Sequence, residues 1–134
     1  MRVIVCVDDN NGMLFNKRRQ SRDSVVNRKI KELAEGKRLL MSAYSAKMFG
    51  GFDKIEVESD IFDAASNGDF CFAEEKIETL EGVEALYVFC WNRSYPADVY
   101  FQFKPENEGF CAVFEEELEG SSHEKITLTV FERK

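Results

Sequence analysis

The sequence is poor in the residues from which most simple catalytic and metal sites are built. It has a single histidine, His123, and its four cysteines, Cys6, Cys71, Cys90 and Cys111, include no C-x-x-C pair. Zinc sites draw on closely spaced Cys and His, so this composition argues against a metal centre and for buried, reduced thiols. Cys6, Cys90 and Cys111 fit that reading, lying inside or beside apolar, strand-like runs. Long hydrophobic runs are also missing. The longest, at 3–7 and 85–91, fall far short of the roughly 18 residues that span a bilayer, so no membrane association is expected. The first residues lack a basic region followed by an apolar stretch and a small-residue cleavage site, so no secretory signal is expected and the default location is cytoplasmic. No self-sufficient catalytic motif occurs anywhere.

What is present is material for one packed core. A chain of 134 residues with 44% hydrophobic residues and twelve Phe fits one domain over 1–134, since compact domains have their mode at about 100–150 residues. The net charge of −7 hides an asymmetry, because 16–38 carries nine Lys or Arg against three Asp or Glu. That segment is +6 and the remainder −13. A polyanion would meet one basic patch on a repulsive body, so nucleic acid is not an expected partner.

The opening stretch, MRVIVCVDDNNGMLF, is the most informative. Residues 2–7 are almost all apolar, the pattern of a strand covered on both faces in the middle of a sheet. Asp8-Asp9-Asn10-Asn11-Gly12 then ends it with turn-forming residues, and Met13, Leu14 and Phe15 can tuck the loop onto the core. Ser21 or Asp23 can cap a helix whose apolar positions Val25, Val26, Ile30 and Leu33 recur at helical spacing, stopped by Gly36. A strand at 38–41, a brief helix after Ser42 and a strand near 54–57 follow. Next come a helical turn within 60–66 and strands at 70–73, 84–90 and 99–103. The 91–97 connection is too short for a full crossover helix. The end reads as an antiparallel hairpin, 110–118 with 125–132, because Ile126, Leu128 and Val130 alternate with Thr127, Thr129 and Phe131.

Taken in order, the opening strand and Gly12 loop, the helix near Asp23, KRLLMSAYSAKMFG, ALYVFCW, DVYFQF and the closing hairpin through LTVFERK resemble a shortened dihydrofolate reductase-like protein. The resemblance covers most of the chain. It implies an α/β fold, a mixed sheet flanked by helices with a C-terminal antiparallel hairpin, and a substrate region around Cys6, Asp23, Trp91 and Gln102. It makes Asp23 the catalytic carboxylate that binds a pterin ring and assists its protonation; the local alternative is a helix cap. Gln102 either reaches that ring region or faces outward from its strand.

The departures are as informative. Cys90-Trp91-Asn92 stands where the family has paired glycines that let backbone approach a nicotinamide cofactor, and RSYPA stands in place of the helix that follows. Ser42-Ala43-Tyr44-Ser45 keeps one hydroxyl, Ser45, of the groups that hold cofactor phosphates. The expectation is therefore no cofactor, with NADPH the alternative. Lys17-Arg18-Arg19 with Arg22 can bind a phosphate or carboxylate, Arg18, Arg19, Arg22 and Ser45 being the anion-binding candidates, or form a solvated basic face. Trp91 with Tyr95 can stack on a heteroaromatic ligand, or Trp91 can plug the vacated groove. His123 is expected to be solvent-exposed at a hairpin tip, where its neighbours Ser121, Ser122 and Glu124 establish no triad.

Two classes of function follow. One is a small-molecule-binding or regulatory protein, for a small heterocyclic or anionic ligand, on a reductase-like scaffold with an eroded dinucleotide site. The other is a divergent NADPH-dependent oxidoreductase. A third reading is a partner-binding domain, with a homodimer formed through the basic loop or an exposed strand edge.

Overall fold

The computed structural model describes residues 1–134. Its principal feature is a mixed sheet of seven strands, built around β1 (Arg2–Val7). β1 runs parallel to β6 (Phe70–Phe72) on one side and to β7 (Ala85–Cys90) on the other. Beyond β6 lie β4 (Leu39–Met41) and β5 (Ile55–Val57), both parallel. Beyond β7 lie the antiparallel β10 (Ile126–Arg133) and β9 (Phe110–Leu118).

The apolar run 3–7 is explained by this central place. Alternation sends Ile4 to one face, where it packs with Val26 and Ile30 of α1 (Ser24–Leu33), Trp91, Ile126 and Leu128. It sends Val3, Val5 and Val7 to the other, against Leu40, Leu86 and Phe131. Both faces are dry, as a strand without polar alternation requires.

The second face is covered without a long helix. Parallel strands need a crossover connection, and between β6 and β7 that connection, residues 73–84, contains no helix. Ile77, Leu80 and Val83 supply the apolar contacts instead, each buried against that face. The Arg133 side chain donates to the Leu80 and Val83 carbonyls at 2.8 and 2.9 Å and fixes the segment to β10. The 91–97 connection is, as its length predicts, no crossover helix. Residues 91–98 instead leave the main sheet for β8 (Val99–Tyr100), which pairs with β2 (Gly12–Phe15) in a separate three-stranded sheet.

That small sheet was not legible in the sequence. β2 turns back into β3 (Arg18–Arg19) through Asn16 and Lys17 at φ 54° and 64°. Positive φ at both central residues is the geometry whose twist suits a two-residue hairpin. The predicted strand 99–103 stops at Tyr100, because Phe101 turns into the core and packs on Phe103 at 5.6 Å.

The remaining elements lie where the patterning puts them: α2 (Ala43–Ala46) with a 3-10 turn over Lys47–Phe49, and α3 (Ile61–Ala64). The β9–β10 hairpin carries a bulge between Val130 and Phe131. No helix is long and apolar enough to cross a membrane.

Candidate functional site

Asp23 organises one end of the sheet. It is extended at φ −153° and caps α1 by accepting from the Val25 N–H at 2.9 Å. The β9–β10 loop then folds over it. The Ser121 and Ser122 N–H groups donate to its two oxygens at 2.9 and 2.8 Å, and their hydroxyls at 3.0 and 3.1 Å. Burial alone would raise the carboxyl's pKa, but the backbone donors of Ser121 and Ser122, His123 and Val25 outweigh it and hold Asp23 far below the usual carboxylate range.

His123 is buried, only 4% exposed, and not at a solvated tip. Its Nδ1 lies 3.0 Å from Asp23 Oδ2, and since an ionised carboxylate only accepts, Nδ1 carries the hydrogen. Nε2 then faces the Ser21 hydroxyl at 3.0 Å and the Tyr95 hydroxyl at 3.1 Å. The Trp91 ring stacks on the imidazole with centroids 4.7 Å apart. Sequence reasoning placed His123 with its neighbours, whereas Ser21 and Asp23 lie about a hundred positions away, and no local spacing records that contact.

Gly120 makes the arrangement possible. A Cβ there would lie 2.5 Å from Asp23 Oδ2 and 2.7 Å from the His123 carbonyl oxygen. Gly120→Ala is expected to push the 121–123 loop off Asp23 and lower stability by about 1–3 kcal/mol, the usual range for overpacking. Urea unfolding checks this, and an unchanged midpoint would show that the loop yields freely.

A second carboxylate fixes the opening loop. Asp8 is buried and accepts from Asn10 N at 2.9 Å, Gly12 N at 2.7 Å, Tyr95 N at 3.0 Å and Gln20 Nε2 at 3.1 Å. Burial works against its charge, but the Tyr95, Gly12 and Asn10 N–H groups and the Gln20 amide together lower its pKa. At Gly12 a Cβ would sit 2.6 Å from Ala97 Cβ, so only glycine lets the 91–98 segment close onto this loop. The Asp8-to-Gly12 element is thus tied down from both sides.

The anion-binding candidates separate. Alternation along β3 sends Arg18 to solvent and Arg19 inward. Arg19 forms a bidentate pair with Glu74, Nε and Nη2 donating at 2.8 and 2.9 Å. Its guanidinium carbon lies 4.4 Å from the Tyr44 ring centroid. Ser45 is buried and donates to the same Glu74 at 2.8 Å. Arg19 and Ser45 therefore do converge on an anion, the protein's own carboxylate. Arg22 is exposed, and its backbone carbonyl accepts from Ser122 Oγ at 3.1 Å.

The substrate candidates separate too. Cys6 and Trp91 line one cavity with Met13, Arg19, Ser21 and Glu74, but its volume is about 10 Å³, about the room of a single water. Burial first, and the Glu74 charge second, push the Cys6 thiol well above its ordinary pKa. Asp23 adjoins this region through His123. Gln102 does not join it: it is exposed, beyond the end of β8, and the groups bonded to Asp23 come from α1 and the 121–123 loop. The inward turn of Phe101 directs Gln102 outward.

Among the larger recesses, two share three residues each with the cavity. One, of about 390 Å³, is lined by Arg22, Asn27, Met48, Ser121 and Ser122 beside Asp23. The other, of about 410 Å³, borders the 73–81 segment, where Asp60, Glu74, Glu75, Glu78 and Glu81 face one cation, Lys76.

No protein-family model matches the sequence, and no curated protein matches it either. By structure the chain is similar to dihydrofolate reductase from Enterococcus faecalis complexed with NADP(H) and RAB-propyl. The TM-score is 0.74 at 9% sequence identity, over 99% of this chain and 95% of that one. The fold is dihydrofolate reductase-like.

Proposed function

We propose that the chain is a small-molecule-binding or regulatory protein on a dihydrofolate reductase-like scaffold from which the dinucleotide site has been lost. Glu74 carries this reading. In open α/β sheets a ligand binds beyond the carboxyl ends of the strands. Here that position, just after β6, holds a carboxylate already paired with Arg19 and Ser45. A cofactor phosphate would have to displace Glu74 and then face the acidic recess around Glu75, Glu78 and Glu81. The residues present do not fit a dinucleotide, and NADPH enters no step of the function proposed.

The room that remains suits a small ligand in the 390 Å³ recess at Arg22, where Arg22 and Asn27 offer polar donors next to the one-water cavity that reaches Ser21 and Trp91. The alternative, a divergent NADPH-dependent reductase of a pterin-like heterocycle, is supported by the likeness to a protein complexed with NADP(H).

A titration separates the two. Trp91 is the only tryptophan, so its emission reports on this end of the sheet. Adding NADPH is expected to give no saturable quenching beyond the inner-filter effect, and saturable micromolar binding would establish the reductase reading instead.

A further inference from the structure

We infer that Ser21, His123 and Asp23 form a nucleophile, base and orienting acid able to cleave small carboxylic esters. Three features carry the inference. The contacts Ser21 Oγ to Nε2 at 3.0 Å and Nδ1 to Asp23 Oδ2 at 3.0 Å are in series across one imidazole, the relation by which such triads are recognised whatever their order in the chain. The imidazole is held in place, stacked on Trp91 and buried, while Asp23 is fixed by the Val25, Ser121 and Ser122 N–H groups. Ser21 itself is partly accessible.

The surroundings supply what a base-activated hydroxyl needs. Tyr95 presents its hydroxyl to the same ring nitrogen at 3.1 Å, a neutral donor able to turn toward an oxyanion formed beside Ser21. Arg22, Asn27 and Met48 line both the one-water cavity that reaches Ser21 and the 390 Å³ recess, so only a short acyl group fits at Ser21 while the rest of the ester lies in the recess beside Arg22. A long acyl chain does not fit, since Met48 is the one apolar residue of that recess.

The reaction balances with water alone. As Ser21 Oγ bonds to the ester carbonyl carbon, its proton passes to His123 Nε2. The carbon–oxygen bond to the leaving group then breaks, and that oxygen departs with the Nε2 proton. Water repeats the sequence on the acyl-serine, giving up a proton to Nε2, and the acid is released as Ser21 recovers its hydrogen. Asp23 stays ionised throughout and holds the imidazole in the tautomer whose Nε2 accepts. The activity does not depend on whether NADPH binds.

The test uses the full chain, p-nitrophenyl acetate as substrate and phenylmethanesulfonyl fluoride as covalent probe. We expect nitrophenol release above the buffer rate, and one sulfonyl adduct that peptide mapping assigns to Ser21. Ser21→Ala and His123→Gln are each expected to lower turnover by roughly 10²–10⁴-fold, and Ser94→Ala, an exposed loop serine, to leave it unchanged. Should His123→Gln fail to fold by circular dichroism, Ser21→Ala, which removes one oxygen from a partly exposed residue, decides alone. An adduct on another residue, no adduct at saturating probe, or full turnover in Ser21→Ala would overturn the assignment.

Discussion

Asp23→Ala is expected to lower the free energy of unfolding by about 3–5 kcal/mol, the cost of removing one partner from a buried charged network. The side chain of Asp23 is fully shielded and that of His123 is 3% exposed. Its removal strands the Val25, Ser121 and Ser122 N–H groups together with His123 Nδ1. It also removes the cap of α1, so the helix and the β9–β10 loop lose a common anchor. Asp23→Asn keeps the shape but turns donor hydrogens toward other donors, so a similar loss is expected. Urea unfolding near neutral pH checks both, by a lower midpoint at unchanged slope.

The same network sets a pH signature. Folding depresses the Asp23 carboxyl below its ordinary value of 3.8, so the unfolded chain takes up a proton before the folded one does. The stabilisation is therefore complete above about pH 4 and drains away as the solution is acidified toward the folded value. The stability gap between the natural chain and Asp23→Asn should narrow from about pH 4 downward, and a gap independent of pH in that range would mean that the charge of Asp23 contributes nothing. Asp23 is thus suited to stay ionised and orient His123. Delivering a proton to a ligand, the part that family resemblance gives it, would require a carboxyl that protonates more readily.

The sequence disclosed the central strand, the capped helix and the closing hairpin because each rests on a local pattern. An unbroken apolar run requires cover on both faces, which β1 has, and alternation in 126–130 requires one dry face, which β10 has. Asp23 was visible as a cap for the same reason. The β2–β3 hairpin stayed hidden because Asn16-Lys17 lacks the glycine that usually marks such a turn. The 73–84 crossover was not identified because Ile77, Leu80 and Val83, spaced by three, cover the sheet as an irregular segment and give no helical run long enough to read. His123 was missed because Ser21 and Asp23, and Trp91 and Tyr95, reach it from two segments distant in the sequence. A lone histidine in a polar loop looks the same whether the loop is solvated or folded over a carboxylate.

Glu74→Ala is expected to cost about 3 kcal/mol, at the low end of the range for breaking a buried pair. The side chains of Arg19 and Glu74 are only 18% and 10% exposed, so the guanidinium left behind cannot recover full hydration. Ser45 Oγ would lose its acceptor as well. A solvent-screened pair would be worth no more than about 1 kcal/mol, so the measured loss reports directly whether this contact is interior. The variant also frees two donors: with the internal carboxylate gone, Arg19 and Ser45 present donors to any small anion that fits. Sulfate should then return part of the lost stability to Glu74→Ala by binding the folded state, with little effect on the natural chain, whose donors are already engaged. If sulfate shifts both unfolding curves equally, the ion acts through general exclusion from protein surface, and Arg19 and Ser45 make no anion site of their own. A shift confined to the variant would identify Glu74 as the group that closes it.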